Sequence, residues 1–304
     1  MKTQIATSFR RSPFFYVGDK FKLLPQLMEH FPIDIDRFIE PFCGGGSVFL
    51  NVDAESYLVN DIDSYIIALH KQLFNFSSDI DGFWSKLTDI INEYSLSASF
   101  LGRTVPEEYK VNFVKTYYAK FNKESYMKLR ADFNDDKSDL LKLYVLLIYG
   151  FNRMLRFNNN GDFNLPVGNV DFNQNVVNAL NSYFEYASEK NIDFFNMDFE
   201  DFLLEVEPTT DDFIYFDPPY LISFSEYNKL WNLEIEHRFL RVLDELNSRN
   251  IRFAVSNIIR HKNMYNETFD IWAKKYNIID ITSNYISFND NTQKGSYEVL
   301  VTNY

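Results

Sequence analysis

The apolar positions along this chain change their period twice. RFIEPF (37–42) is a short apolar run ending in the cluster Gly44-Gly45-Gly46, and SVFLNV follows, so the pattern predicts strand, tight turn and helix. SYLVNDID (56–63) predicts a second strand that ends in acids. From 64–76 through 140–155 the apolar residues return at intervals of three and four, which predicts helices, with a loop near 97–110. FNNNGDFNLPVGN (157–169) has the composition of a loop. Short runs then come back: DFFNMDF (193–199) and DDFIYFDPPY (211–220) predict strands, the second stopped by two prolines. FLRVLDELNSRN (239–250) predicts a helix. IRFAVSN (251–257), IIDITSNY (278–285) and YEVLVTNY (297–304) follow as strands. The polar SFNDNTQKG between the last two allows them to pair as a hairpin. Strands alternating with helices at both ends of a helical middle predict an α/β sheet domain with an inserted lobe. We expect the sheet domain over 1–70 and 190–304 and the insert over 71–189.

Composition narrows the class. The chain has 304 residues, 46% hydrophobic and 24% charged, which rules out wholesale disorder. No stretch approaches the ~20 apolar residues that span a bilayer, and MKTQIATSFRRSPFF lacks a signal-peptide core. A single cysteine, Cys43, excludes an intramolecular disulfide, and with four scattered histidines it argues against a zinc site. We expect a soluble cytoplasmic protein with no metal and no membrane partner. The net charge of −13 argues against coating nucleic acid by bulk electrostatics. Residues 103–160 nevertheless carry 11 Lys/Arg against 7 Asp/Glu. A solvated helical surface or a polyanion-binding lobe would each give that local excess.

Candidate chemistry begins at the glycines. A strand, a Gly-rich turn and a helix aim free backbone amides at a ligand. EPFCGGGSVFL lacks both the dinucleotide G-x-G-x-x-G spacing and a P-loop lysine, so alone it serves a plain turn as readily as a nucleotide site. Asp61, at the end of the next predicted strand, could accept both hydroxyls of a ribose. Together they suggest an adenosine-containing ligand without a triphosphate.

Asp217-Pro218-Pro219-Tyr220 is sharper. Two prolines hold the chain extended where a strand stops, so a carboxylate, the next carbonyl and an aromatic ring project together. A capped strand end with a surface tyrosine has the same pattern. The chemistry that needs it is methylation of an exocyclic amine. The amine's lone pair is delocalised into its ring; the Asp217 carboxylate and the Pro218 carbonyl can bind its two hydrogens, and Tyr220 can stack on the heterocycle. No covalent enzyme intermediate is required.

At these residues the chain resembles the Dam-type DNA adenine-N6 methyltransferases. FFYVGDKFKLL (14–24) is similar to the family's N-terminal cofactor segment, with Tyr16 and Lys20 at its aromatic and lysine positions. EPFCGGGSVFLN matches the loop around the methionine part of S-adenosylmethionine, which implies contacts from Glu40, Phe42, Gly44 and Gly46. NDID puts Asp61, with Ile62 beside it, at the ribose-binding acid. By the same analogy Asp198 and Phe199 sit near the cofactor adenine, although a helix N-cap explains Asp198 as well. DPPY is the family's catalytic tetrad, and Asp217 also adjoins the cofactor. FNRMLRFNNNGDFNLPVG resembles the DNA-recognition segment, which implies DNA contacts from Asn152, Arg153, Met154, Arg156 and Asn158. Arg153 departs from the pattern, since relatives often carry Gly there.

The resemblance implies a Rossmann-like S-adenosylmethionine-dependent fold, a mostly parallel sheet with a C-terminal antiparallel hairpin and an inserted helical DNA-recognition domain. It implies methylation of an adenine swung out of duplex DNA, within a GA(T)-containing site. The enzyme would be part of a restriction-modification system with a separate endonuclease, or a solitary methylase. An RNA or protein amine methyltransferase, or a non-catalytic DNA-binding relative, would share the fold. Asp rather than Asn at 217 argues against glutamine modification, and retention of Lys20, Asp61 and DPPY argues against a decayed site.

Overall fold

Phe213-Ile214-Tyr215-Phe216 is apolar at four successive positions, and such a strand needs cover on both faces. In the computed structural model, which describes residues 9–222, 231–282 and 296–304, it lies in the middle of a sheet. The chain divides into two compact units. The sheet unit is made of Lys20–Cys43, Asn51–Ile62 and Asn191–Tyr304; the helical unit is made of the described residues up to Asp19, Gly44–Leu50 and Asp63–Lys190.

The described strands are β1 (Arg37–Glu40), β2 (Ser56–Asn60), β3 (Asn191–Phe195), β4 (Phe213–Phe216), β5 (Arg252–His261), β6 (Met264–Tyr265), β7 (Asn277–Ile281) and β8 (Ser296–Thr302). Their order is β3-β2-β1-β4-β5-β8-β7, with β6 folded back on the end of β5. The first five of that order are parallel, and β8 is antiparallel to both β5 and β7. The chain lays β2 and β3 on one side of β1, then β4 and β5 on the other. Open parallel sheets take their ligands at such a reversal, outside the carboxyl ends of the strands.

In the sheet unit, α1 (Leu24–Met28) precedes β1, and α8 (Phe199–Val206), α9 (Leu233–Ser248) and α10 (Glu267–Ala273) supply one covering layer. Ile39, Leu58, Ile214, Phe216, Phe253, Val255, Val299 and Val301 meet Phe202, Phe239, Leu243, Phe269 and Trp272 in a single buried cluster. Each such side chain contributes roughly 1.5–3 kcal/mol on full burial. The amino edge is pinned by charge: Arg37 grips buried Asp212 with two bonds, at 2.9 and 2.6 Å, and caps α8 through the Val206 carbonyl.

The helical unit contains α2 (Ser64–Phe76), α3 (Ile80–Glu93), α4 (Glu107–Asn112), α5 (Tyr117–Asp135), α6 (Leu140–Tyr149) and α7 (Gln174–Glu189). LLKLYVLLIY is apolar almost all round, so α6 is the buried helix of the unit. Side chains of Asp63, Asp79, Asp139 and Asn173 cap α2, α3, α6 and α7. The loop after α3 is fixed by buried polar groups: Ser97 donates to Asp171 at 2.8 Å and receives Asn122 at 2.9 Å. No helix among the described residues is long and apolar enough to cross a membrane.

Several local expectations need correction. SVFLNV does not form a helix; it makes a series of turns in which Val48, Phe49 and Leu50 are all buried. The strand expected over 193–199 ends at Phe195, and Phe199 opens α8 instead. α9 begins at Leu233, six residues before the predicted start, and α1, α7 and α10 were not anticipated. β7 and β8 do pair as an antiparallel hairpin. The loop expected at 287–295, and residues 283–285 of the preceding strand, lie outside the described residues.

Candidate active site

Four side chains of the sheet unit converge where β4 ends. After Phe216 the two prolines prevent further ladder bonds, and Asp217 leaves the sheet about one-fifth exposed. Its Oδ2 is 2.8 Å from the Nζ of Lys20, a residue only 4% exposed whose carbonyl receives the first turn leading into α1. Its Oδ1 accepts the Tyr220 hydroxyl at 3.0 Å, and that hydroxyl is also 3.3 Å from Oε1 of Glu298 on β8. The Lys20 ammonium stands 5.0 Å over the Tyr220 ring, within cation–π reach. Pro218 is buried and Pro219 half-buried. Behind them Tyr215 bonds Ser256 at 2.7 Å, and burial, reinforced by the carboxylates of Asp217, Glu40 and Glu298, pushes its phenol well up.

Lys20 therefore meets Asp217 itself, a contact that its place in the N-terminal segment does not reveal. Glu298 is absent from the expectations altogether. Its signal is faint: one acid in YEVLV, on a strand whose other inner positions are apolar.

The neighbouring strand ends of the sheet unit carry the other expected residues. Glu40 closes β1 and is buried, and Phe42 packs its ring against those of Phe199, Trp231 and Phe239. Asp61 and Ile62 follow β2, with both carbonyls held by the Asn196 side chain at 2.8 and 3.1 Å. Ile62 is 62% exposed, an apolar side chain shown to solvent beside a carboxylate. Asn60, not among the expected residues, ties the ends of β1 and β3 by donating to the carbonyls of Pro41 and Met197. Asp198 is the N-cap of α8, accepting from Glu200, and its other oxygen pairs with Arg238 at 2.6 Å. Arg238 also covers the Phe199 ring at 4.6 Å.

The remaining expected residues belong to the helical unit. Tyr16 is buried against the glycine loop. A Cβ on Gly45 would lie 2.7 Å from that of Tyr16, and Gly46 has φ +79° with the Phe49 ring in the way, so neither position accepts a larger residue. The Ser12 hydroxyl donates to the Gly45 carbonyl, and His70 bonds the Gly44 carbonyl at 2.9 Å. Burial lowers the His70 pKa to about 4 against the modest opposing pull of the Gly44 carbonyl, so the ring is neutral and donates from Nε2.

That shift has a measurable consequence. An unfolded histidine protonates near 6.5, whereas this one resists to about 4. Between those values the unfolded chain binds the extra proton, so stability falls as pH falls, by on the order of 3 kcal/mol in all. In urea unfolding at about pH 7.5 and about pH 5, wild type should lose more stability than His70→Gln, which keeps a donor but cannot titrate. Equal losses would contradict a neutral His70.

Asn152 and Arg153 have φ of +55° and +50°, in the left-handed region that favours glycine. Arg153 turns its guanidinium onto the Phe15 ring at 4.4 Å, and burial lowers its pKa. Met154 is half-buried. Arg156 and Asn158 stand on a hairpin closed by a Phe157–Phe163 bridge. Asn164 holds Arg156 by its Nε at 2.8 Å and one Nη at 2.7 Å. Exposed Asn158 turns its carbonyl oxygen back onto the amides of Asn160 and Asp162.

Comparison with known proteins gives the context of this geometry. Residues 16–286 match the family model of the D12 class N6 adenine-specific DNA methyltransferase. The chain is 35% identical over 306 residues to the type II methyltransferase M.FokI of Planomicrobium okeanokoites, an alignment covering 98% of this chain and 43% of that protein. It is 32% identical to the modification methylase StsI of Streptococcus sanguinis, over 97% of this chain and 43% of the relative. It is 26% identical to the DNA adenine methylase of Escherichia coli (strain K12), covering 94% and 92%. The chain thus spans less than half the length of the first two relatives. It belongs to the D12 class N6 adenine-specific DNA methyltransferase family, and its mixed α/β fold is the Rossmann-like methyltransferase type with C-terminal antiparallel strands.

Proposed function

We propose, from that family membership, that this chain moves a methyl group from S-adenosylmethionine to the N6 amine of an adenine swung out of duplex DNA. The observation that carries the reading is the Asp217-Pro218-Pro219-Tyr220 corner at the end of β4, with its carboxylate held by Lys20. Bound S-adenosylmethionine would supply an electrophilic methyl group on a sulfonium. The residues at the strand ends fit a nucleoside: Asp61 offers an acceptor for ribose hydroxyls, and exposed Ile62 offers an apolar surface beside it. The Asp198–Phe199 turn, braced by Arg238, is suited to the adenine. By family likeness Tyr16, Gly44 and Gly46 serve the methionine part.

At the reacting amine, the Asp217 carboxylate and the Pro218 carbonyl accept its two hydrogens and return electron density to nitrogen. Lys20 holds Asp217 in one orientation by a charge-assisted bond. Tyr220 presents a ring for the base to stack on. Taking the base out of the duplex is required because the amine is otherwise stacked within it.

Supplied with labelled S-adenosylmethionine, the protein should place label on N6 of adenine in duplex DNA. Label confined to RNA or protein would overturn the reading. We place the enzyme in the cytoplasm, as a restriction-modification methylase beside a separate endonuclease or as a solitary methylase.

Target choice falls to the helical unit. We assign Arg156 to the guanine 5′ of the methylated adenine, because arginine's planar fork matches the two acceptors on guanine's major-groove edge. Asn164 occupies one edge of the guanidinium and so fixes its direction. Arg156→Ala should cost roughly 1–3 kcal/mol of discrimination and relax preference at that position alone. If Arg156 bound phosphate, the variant would weaken on all sequences alike, with a shallower salt dependence. Methylated-adenine sequencing distinguishes the two.

A further inference from the structure

We propose that Glu298 is a positioning residue for the methyl transfer, accepting the hydrogen bond of the Tyr220 hydroxyl when the target amine takes its place on Asp217. The inference rests on the reading given under Proposed function. Glu298 is 1% exposed and stands next to Val299, Leu300 and Val301, which are fully buried. A carboxylate in such a run is costly unless a polar group meets it. The Tyr220 hydroxyl, 3.3 Å from Oε1, is such a group.

Rigidity separates the two partners. Glu298 is paired on both sides, opposite Ile258 of β5 and Ile281 of β7, so its backbone is fixed in the sheet. Tyr220 lies four residues beyond Phe216, the last residue of β4, and after two prolines that cannot join a ladder. The carboxylate is the fixed point, and the ring is what it holds.

The hydroxyl has one proton and two carboxylates within reach, Asp217 Oδ1 at 3.0 Å and Glu298 Oε1 at 3.3 Å. As the structure stands, the shorter bond goes to Asp217, on an oxygen that the amine needs. A rotation about the phenolic C–O bond transfers the hydrogen bond to Glu298, with no covalent bond made or broken. Asp217 Oδ1 is then free to accept from the amine, and the ring does not move because its hydroxyl oxygen stays where it was. Lys20 keeps Oδ2 throughout and stands over the Tyr220 ring.

Removing the receiver should leave the tyrosine proton on Asp217 in competition with the amine. Glu298→Leu should therefore lower kcat by about tenfold to a hundredfold, the scale of a misplaced catalytic contact, with the DNA KM changed far less. Glu298→Gln retains an acceptor oxygen and should recover to within about threefold of wild type. The decisive variant removes the competing hydroxyl: Tyr220→Phe combined with Glu298→Leu should be no slower than Tyr220→Phe alone, and faster than Glu298→Leu. A purely structural loss would not be relieved by a second substitution at the site. Wild-type kcat in Glu298→Leu, a Gln variant as impaired as the Leu variant, or additive losses in the pair would each overturn the inference. If Glu298→Leu does not fold, the isosteric Gln variant decides, since a loss beyond tenfold contradicts the role of an acceptor. The wild-type assay on duplex DNA keeps the two readings apart: an inactive wild type refutes the proposed activity, whereas an active one without this pattern refutes only the role of Glu298.

Discussion

Asp217→Ala should transfer methyl groups at least about a hundredfold more slowly than wild type, the loss typical of a positioned electrostatic group. Asp217 is partly open at the end of β4, and both of its oxygens are directed, one by Lys20 and one by Tyr220. Asp217→Asn should also fail, because an amide is the weaker acceptor and can turn its NH₂ toward the amine. The substitution carries a second effect that must be separated from the first. Lys20 is buried, and removing the carboxylate at 2.8 Å leaves its ammonium without that compensation, which lowers the unfolding temperature. Combining Lys20→Met with Asp217→Ala should restore the unfolding temperature without restoring turnover. Labelled-methyl transfer and thermal unfolding on the same samples test both halves. Turnover close to wild type in either single variant would remove Asp217 from the mechanism.

Asp61→Ala should weaken S-adenosylmethionine binding by tenfold or more. Two hydroxyl contacts to a charged acceptor are lost, each worth roughly 1.5–3 kcal/mol. The position of Asp61 is built rather than incidental, since the Asn196 side chain ties down the carbonyls of both Asp61 and Ile62. Asn196→Ala should accordingly reproduce part of the loss without touching the carboxylate. Calorimetric titration of the cofactor into each variant measures the effect. An unchanged affinity in Asp61→Ala would mean that the ribose is held elsewhere.

What could be read from the sequence divides along physical lines. β4 and its terminating prolines were plain because the information is contiguous: four apolar residues, then two that cannot donate. The β7–β8 pairing was legible for the same reason. The meeting of Lys20 with Asp217, and of Glu298 with Tyr220, was not, because three segments far apart in the chain are brought together only by the order in which the strands are laid down. α7 escaped notice because Asn and Ser interrupt its apolar stripe, and only the folded unit shows that Val176, Leu180, Tyr183 and Ala187 share a buried side. The expected helix after Gly46 is a series of turns instead, since an apolar run as short as SVFL does not by itself distinguish the two. Asp198 illustrates a further limit: the helix N-cap was one of its two readings, whereas the pairing with Arg238 follows from the fold and is not visible in FNMDF.

The hairpin that carries Arg156 closes largely on itself. Phe157 bridges Phe163, the Asn164 amide bonds the Arg156 carbonyl, and Asn158 to Asp162 form a turn through their own backbone and side chains. Its ties to the rest of the helical unit include main-chain ones, with Arg130 reaching the Leu165 carbonyl and Asn134 both bonds of Phe163, and side-chain ones, with Tyr65 stacked on Phe157 and Lys137 paired to Asp162. A segment supported in this way keeps its shape while its outward side chains change. The Phe157–Phe163 bridge and the main-chain bond from Asn164 to Arg156 do not depend on the side chain at 156, so that position can be varied without unmaking the hairpin.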